Sequence, residues 1–347
     1  MAESSQYPNL FRPVTIRSME LKNRILMLPM HLRLDPRTEQ GRKFYRARAN
    51  GGAGAIISWA TLVDLTFSDR IWGETGGAVR FMKALEPIVR DAHASGAKIG
   101  MQLAHFNCYP PVLPFSGSWL GPITGKEVCE WVAPSARVEP AGFVHGGAPP
   151  ELPLRELTVQ EIETIIGNFG KAAAAAKRAG FDFVEVHGAH GTLPCQFFSP
   201  LDNCRTDAYG GDIERRMRFG LDIVSAIRSA VGLDFPIFFR IPAKDLGTSG
   251  GITMRQSIVF AVELERAGVD CIDVSVGTSG VLPYWRGASP GHRRPAGTYV
   301  NLAGAIKDVV KVPVIAIGRI HKPRIAERVL SEGKADLVGM GRQLIAD

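Results

Sequence analysis

The sequence predicts an α/β protein of the (β/α)8 TIM-barrel class, on three observations. Short apolar runs alternate with helical stretches along nearly all of its 347 residues. There are eight such runs, and each but the last is followed by a helical stretch. The polar residues that break the runs collect at their carboxyl ends, where a parallel barrel carries its chemistry. No low-complexity linker divides the chain, so residues 1–347 are expected to form a single barrel domain.

The elements follow in order. The opening YPNLFRPVTIRSMELKNRI is polar and turn-rich and reads as a small hairpin closing the barrel base. Ile25–Pro29 reads as a strand, Gly41–Asn50 as a helix, Ala55–Ala60 as a strand, Phe81–Ser95 as a helix ended by Gly96, and Lys98–Leu103 as the third strand. A long Pro- and Gly-rich excursion then runs from His105 to Leu157. Loops of this length are usually functional or disordered, and this one reads as a lid with short strands around Trp131–Ser135 and Phe143–His145. Thr158 and Glu161 have the spacing of a capping box, which starts a helix that runs through an alanine-rich stretch to Gly180. The strand opened by Phe181 comes next. Ile213, Met217, Leu221, Val224, Ile227 and Val231 then recur every three or four residues, forming one face of a helix that Gly232 ends. The remainder alternates: strand Pro236–Ile241, helix Arg255–Ala267, strand Cys271–Ser275, helix Val300–Val310, strand Val314–Ile317, helix Arg324–Ser331, strand Asp336–Gly339. The last helix of the pattern is missing before Asp347.

Composition narrows the class of protein. A hydrophobic content of 45% fits a globular enzyme with a large core. The net charge of +7 is dispersed, with no Lys/Arg run interleaved with aromatics, which argues against nucleic acid. No apolar segment is long enough to suggest a membrane span. The five cysteines (Cys108, Cys129, Cys195, Cys204 and Cys271) show no CxxC spacing, and no signal peptide is evident, so a reducing cytoplasm is the simplest setting. The same scatter gives no support for bound zinc or an iron–sulfur cluster. Cys195 and Cys204 read as packing residues.

Chemistry is expected where polar side chains meet strand ends. Alternation puts Val184 and Val186 on one face of their strand and Phe183, Glu185 and His187 on the other. His187 and His190 either hold a loop together or face a ligand. The other strand ends offer Pro29, Met30 and His31; Ala60; Gln102 and His105; Arg240; Gly318 and Arg319; and Gly341 and Arg342. The last two ends each read Gly-Arg. This pairing either cradles a phosphate, with glycine letting backbone N–H groups approach the oxygens, or marks two exposed turns. A buried Arg240 needs a partner, which an internal acid such as Glu185 or a bound ligand could supply. Asn203, Arg205 and Asp207 read as a structural loop. Trp72, Trp119, Trp131 and Trp285 either line the site or pack the lid, and GTSGG at Gly247–Gly251 reads as a turn.

HGAHGTLPCQFFSP, followed by Asn203, Arg205, Asp207, Tyr209, Gly210 and Gly211, resembles the long motif of the old yellow enzyme family of FMN oxidoreductases. The resemblance extends from Leu10 to the end of the chain. RIWGETGGAVRFMKAL, LPCQFFSP, IGRIHKP and GRQLIAD look closer to the branch containing trimethylamine dehydrogenase and 2,4-dienoyl-CoA reductase. The resemblance implies FMN contacts at Leu28, Pro29, Met30, His31, Ala60, Gln102, Arg240, Gly318, Arg319, Gly341 and Arg342. Arg240 would stabilise the N1–C2=O edge of the reduced ring, and the Gln102 amide would match its pyrimidine edge. His31 stands where trimethylamine dehydrogenase has a flavin-bonded cysteine, which implies non-covalent FMN.

The same resemblance makes His187 and His190 the catalytic pair that hydrogen-bonds a substrate oxygen, with Thr192 and His31 beside them in the substrate pocket. Thr192 replaces the tyrosine that commonly donates a proton in this family, which shifts that task to water or to a residue such as Tyr284 or Tyr109. The implied activity is hydride transfer from NAD(P)H through FMN to the activated C=C bond of a small molecule. The alternatives are oxidative C–N cleavage of an amine and a flavin-carrying electron-transfer subunit. In the branch named above, an iron–sulfur segment and a dinucleotide-binding domain follow the barrel. The expectation is therefore a truncated chain, or a homo-oligomer or partner subunit that supplies the remainder.

Overall fold

The computed structural model describes residues 6–30, 34–64, 77–106, 108–109, 130–140, 151–246, 249–277 and 294–346. A hairpin of β1 (Val14–Ile16) and β2 (Met19–Leu21) precedes β3 (Ile25–Met27). Next come α1 (Glu39–Asn50), β4 (Ala55–Leu62), α2 (Gly77–Ala94) and β5 (Lys98–Ala104). The excursion contributes β6 (Cys108–Tyr109), β7 (Glu130–Ala133), β8 (Arg137–Pro140) and β9 (Glu151–Glu156), paired in the order β6-β7-β9-β8. The chain then alternates through α3 (Val159–Arg178), β10 (Phe183–His187), α4 (Leu193–Phe198), α5 (Ile213–Val231), β11 (Ile237–Asp245), α6 (Met254–Arg266), β12 (Cys271–Gly277), α7 (Val300–Lys307), β13 (Val314–Ala316), α8 (Pro323–Ser331), β14 (Leu337–Met340) and α9 (Gln343–Ala346).

Eight of these strands close into a parallel barrel in the order β10-β11-β12-β13-β14-β3-β4-β5, with β5 pairing back to β10. This is the TIM barrel that the alternation predicts. The excursion holds more strands than expected; the expected Phe143–His145 strand lies outside the described residues. A single helical turn, α9, follows β14 and buries none of its residues. The short α4 starts directly after the turn that follows β10, where Pro194 in its first turn fixes a helical φ.

Two apolar layers hold the barrel. Outward-facing strand residues such as Val184, Val186 and Phe239 join the helices in one cluster. Inward-facing residues, including Phe183, Phe238, Cys271, Ile315 and Leu337, form a second cluster with Ile16, Met19 and Leu21 of the hairpin. The hairpin thus plugs the amino-terminal end, as expected. On the barrel floor the Phe183 and Phe238 rings stack with centroids 4.2 Å apart, a pair worth roughly 0.5–1.5 kcal/mol beyond its burial. Gly100 makes room for them, since a Cβ there would meet Phe183 at 2.2 Å. One step of alternation above this floor, the inward side chains turn polar: Gln102, Glu185, Arg240 and Asp273.

The helix ends follow local chemistry. The Thr158–Glu161 capping box is formed, as its spacing predicts, and Thr253 with Gln256 forms a second. Gly232 ends α5 at φ 77, a backbone conformation that side chains disfavour. No helix among the described residues is long and apolar enough to cross a membrane.

Candidate active site

The site is built on the carboxyl ends of β5, β10, β11 and β12. His187 ends β10 and pairs in register with Arg240 on β11, which in turn pairs with Asp273 on β12. The chain turns sharply after His187 and brings His190 back over the barrel mouth. The two imidazoles lie edge to face with centroids 5.0 Å apart, and Phe106 meets the edge of His187 at 6.1 Å. His190 sits at φ 60, a left-handed conformation uncommon outside glycine. It is held there by its backbone N–H on Val276 O at 3.3 Å and by Nε2 at 2.5 Å from the Ser275 hydroxyl.

Both histidines are almost fully buried. Burial first, then the Arg240 charge, pushes both well below the ordinary imidazole range, with His187 adding to the effect on His190. Both rings are therefore neutral near pH 7, and each carries a single N–H. Nδ1 of His187 has no hydrogen-bond partner within the protein.

Thr192 is placed differently from a substrate contact. It is fully buried, and its hydroxyl donates to His187 O at 2.6 Å and Ala189 O at 3.0 Å, so its proton is committed to the loop. Thr192→Val should leave those carbonyls short of a donor and cost about 1–3 kcal/mol of stability. A thermal or urea melt checks this; an unchanged midpoint would mean that the loop holds without the hydroxyl.

Beneath the histidines lies the polar layer. Gln102 donates from Nε2 to Glu185 Oε2 at 2.7 Å, and Arg240 Nε stands 3.1 Å from Asp273 Oδ2. Arg240 therefore has an internal acid, but that acid is Asp273, where the sequence reading named Glu185. Burial first, then the Asp273 charge, pushes Glu185 up to about 8, and burial also raises Asp273. The unfolded chain loses the Glu185 proton near its ordinary 4.5, whereas the folded state keeps it until about 8. Stability should therefore fall as pH rises through that window. Glu185→Gln should flatten this fall; a variant whose melting temperature tracks wild type from pH 5 to about 8.5 would place the titration elsewhere.

At the opposite side of the mouth, β13 and β14 are neighbours. Gly318, at φ 102, turns the chain where a Cβ would come within 3.0 Å of the Tyr299 backbone N. Arg319 follows at φ 56 and hydrogen-bonds Arg294 O. Gly341 faces the Met30 sulfur across a gap that a Cβ would narrow to 3.3 Å, and the exposed Arg342 follows it. Leu28 is buried against Gly339, and its N–H donates to Met340 O at 2.9 Å. Pro29, Met30 and Ala60 are half-buried around the same rim, and Ala60 pairs in register with Gln102. His31 lies outside the described residues, as do Tyr284 and Trp285.

Asp273 and Ser275 are functional candidates that the sequence reading passed over. Their signal was present: in CIDVSVG every second residue is polar or small within an otherwise apolar run. His105 is anchored to Asp64 at 3.2 Å, and Asp64 in turn accepts from Asn168 at 2.9 Å. It thus ties β5 to α3, and its carbonyl accepts from Leu193 N at the start of α4.

The sequence profile of the NADH:flavin oxidoreductase / NADH oxidase family matches residues 9–347. The chain belongs to this family. It is the family of the old yellow enzymes, as the HGAHGTLPCQFFSP resemblance implies. Among the relatives of this family member, a metal reductase of Desulforamulus reducens is 39% identical over 97% of this chain and 47% of the relative. An NADH oxidase of Thermoanaerobacter brockii is 40% identical over 99% and 50%. The chain thus spans about half the length of these two relatives. An NADPH dehydrogenase of Clostridium acetobutylicum is 36% identical over 97% of this chain and 91% of the relative. Among solved structures, a 2-naphthoyl-CoA reductase superposes with a TM-score of 0.80 at 27% identity, over 98% of this chain and 51% of that one. Morphinone reductase superposes with a TM-score of 0.72 at 29% identity, over 97% and 87%.

Proposed function

We propose that this family member binds FMN non-covalently and reduces an activated C=C bond of a small molecule with electrons from NAD(P)H. The observation that carries the reading is the neutral His187–His190 pair set above Arg240 and Gln102 at the barrel mouth. The residues fit the cofactor: the inward Arg240 and Gln102 offer donors to a ring, and the paired Gly-Arg turns at the ends of β13 and β14, where a Cβ on Gly318 would crowd Tyr299 and one on Gly341 would crowd Met30, offer them to a phosphate. Leu28, Pro29, Met30 and Ala60 would flank it. An FMN held by these residues would supply the hydride chemistry that links NAD(P)H to the β-carbon of the alkene.

The protein's own groups do the rest. His187 and His190, each with one N–H, hydrogen-bond the substrate carbonyl or nitro oxygen and stabilise the charge that grows there during reduction. Neutral rings suit this task, because they polarise the oxygen without surrendering a proton to it. Thr192 holds the loop between the histidines, so the proton for Cα comes from another group or from water. Ser275 fixes the His190 ring.

Anaerobic titration tests the reading. NAD(P)H should bleach the flavin, and an α,β-unsaturated ketone or nitroalkene should restore its colour. A flavin that no activated alkene reoxidises would sink the ene-reductase assignment. Acid precipitation should release yellow FMN into the supernatant; colour kept in the pellet would mean a covalent bond. Arg342→Ala should weaken FMN binding about ten- to a hundredfold, through loss of a charge-assisted contact worth roughly 1.5–3 kcal/mol. Unchanged affinity on fluorescence titration would remove Arg342 from the phosphate site.

A further inference from the structure

The barrel interior holds two acids that the reaction above does not use. Glu185 and Asp273 are both fully buried, on β10 and β12, and flank the strand that carries Arg240. Each binds one group assigned to the cofactor: Glu185 accepts from Gln102 at 2.7 Å, and Asp273 stands 3.1 Å from Arg240 Nε. Glu185 Oε1 and both Asp273 oxygens have no hydrogen-bond partner, so the Arg240–Asp273 approach is an ion pair and not a hydrogen bond. Below them are the Phe183–Phe238 stack and Cys271, which offer no countercharge.

Packing does not explain this layer. One guanidinium faces two carboxyl groups, and a second ionised carboxylate without a partner is costly in a dry interior. Buried ion pairs can often be replaced by apolar side chains without loss of stability. The raised Glu185 and Asp273 agree with a layer that keeps a proton to limit its charge. What the acids do accomplish is orientation. A Gln102 amide whose N–H is taken by Glu185 has its rotation fixed, and an Arg240 whose Nε faces Asp273 keeps its terminal nitrogens for another ligand.

We propose that Glu185 and Asp273 are positioning residues for the flavin, fixing the Gln102 amide and the Arg240 guanidinium, and that Asp273 also sets the reduction potential of the bound ring. This rests on the FMN reading above. Reduced flavin gathers negative charge at N1, which a bare guanidinium would favour. An acid behind Arg240 offsets that charge and keeps the bound flavin a stronger reductant.

The test is a spectroelectrochemical titration of the FMN-loaded protein, together with FMN affinity. Asp273→Asn should raise the two-electron midpoint potential by about 30 mV or more, a tenfold shift of the oxidised/reduced equilibrium. Glu185→Gln, whose carbonyl still accepts the Gln102 N–H, should bind FMN like wild type. Glu185→Leu, which lacks an acceptor, should bind it at least about tenfold more weakly. An Asp273→Asn protein that stays loaded at the wild-type potential overturns the role of Asp273. Should that variant not fold, the two Glu185 variants decide: equal FMN affinity for Gln and Leu overturns the positioning role. Wild-type protein that binds no FMN would instead remove the reading beneath the proposal, before any variant is compared.

Discussion

His187→Ala is expected to slow reoxidation of the reduced protein by an enone roughly 10²–10³-fold, the usual loss when a single donor to a developing oxyanion is removed. His187 ends β10 and pairs in register with Arg240, so its position is set by the barrel and not by a mobile loop. Its neutral ring gives one N–H, and alanine gives none. The loss should appear in the alkene half-reaction, while reduction by NAD(P)H and FMN content stay close to wild type. Stopped-flow absorbance separates the two half-reactions. His190→Ala should behave in kind, and Ser275→Ala more mildly, because the ring survives but loses the hydroxyl 2.5 Å from Nε2. An alkene half-reaction that runs at the wild-type rate in His187→Ala would falsify the oxyanion role.

Arg205→Ala should be the most damaging change outside the site, at about 2–5 kcal/mol, because two buried carbonyls lose their donor. The Arg205 side chain is 3% exposed. Its Nη1 donates to Pro134 O and Leu157 O, both at 2.7 Å, and its Nη2 donates to Asp207 at 2.5 Å. Those two carbonyls belong to the base of the excursion, next to β7 and β9, so one guanidinium ties that sheet to the loop after α4. The Arg205 hydrogen bond holds Asp207 below the usual carboxylate range. Asn203 closes the same loop by donating to Phe197 O and Tyr209 O, both at 2.7 Å. A fall in melting temperature on the order of 10 °C is expected, with partial recovery in Arg205→Lys, which keeps the charge but not the fork. A fall of less than about 2 °C would show that the excursion is held by other contacts.

The barrel was legible because its alternation is long and regular. On the α5 face, Met217, Val224, Ile227 and Val231 are buried, and Ile213 and Leu221 pack half-buried against the same core. The Asn203–Asp207 loop could be read as structural from its composition. What the sequence could not fix was which inward side chains meet. Glu185 was set against Arg240 because both are inward and charged; register instead gives Gln102 to Glu185 and Asp273 to Arg240. Neighbour identity in a barrel depends on strand order and stagger, which one-dimensional alternation does not carry. Thr192 shows the same limit. Its place two residues after His190 suggested a pocket lining, yet its hydroxyl turns back on the main chain. Strand lengths were underestimated for β11, which continues through Pro242 to Asp245, because a proline at a register shift still fits a strand.

Barrel closure gives the protein a built-in reporter. Cys271 lies inside the ring of strands, fully buried, with its thiol held well above its ordinary range by burial first and then by the neighbouring acids. A thiol reagent can reach it when a seam between two strands parts or when the β1–β2 hairpin lifts from the barrel base. Cys204 is exposed and is a reference that reacts without any opening. The ratio of labelling at these two positions, read by peptide mass spectrometry, therefore measures how often the closed sheet breathes. Because the ring has no free edge among its barrel strands, that rate follows opening of the wall or of its hairpin plug and not fraying of an outer barrel strand.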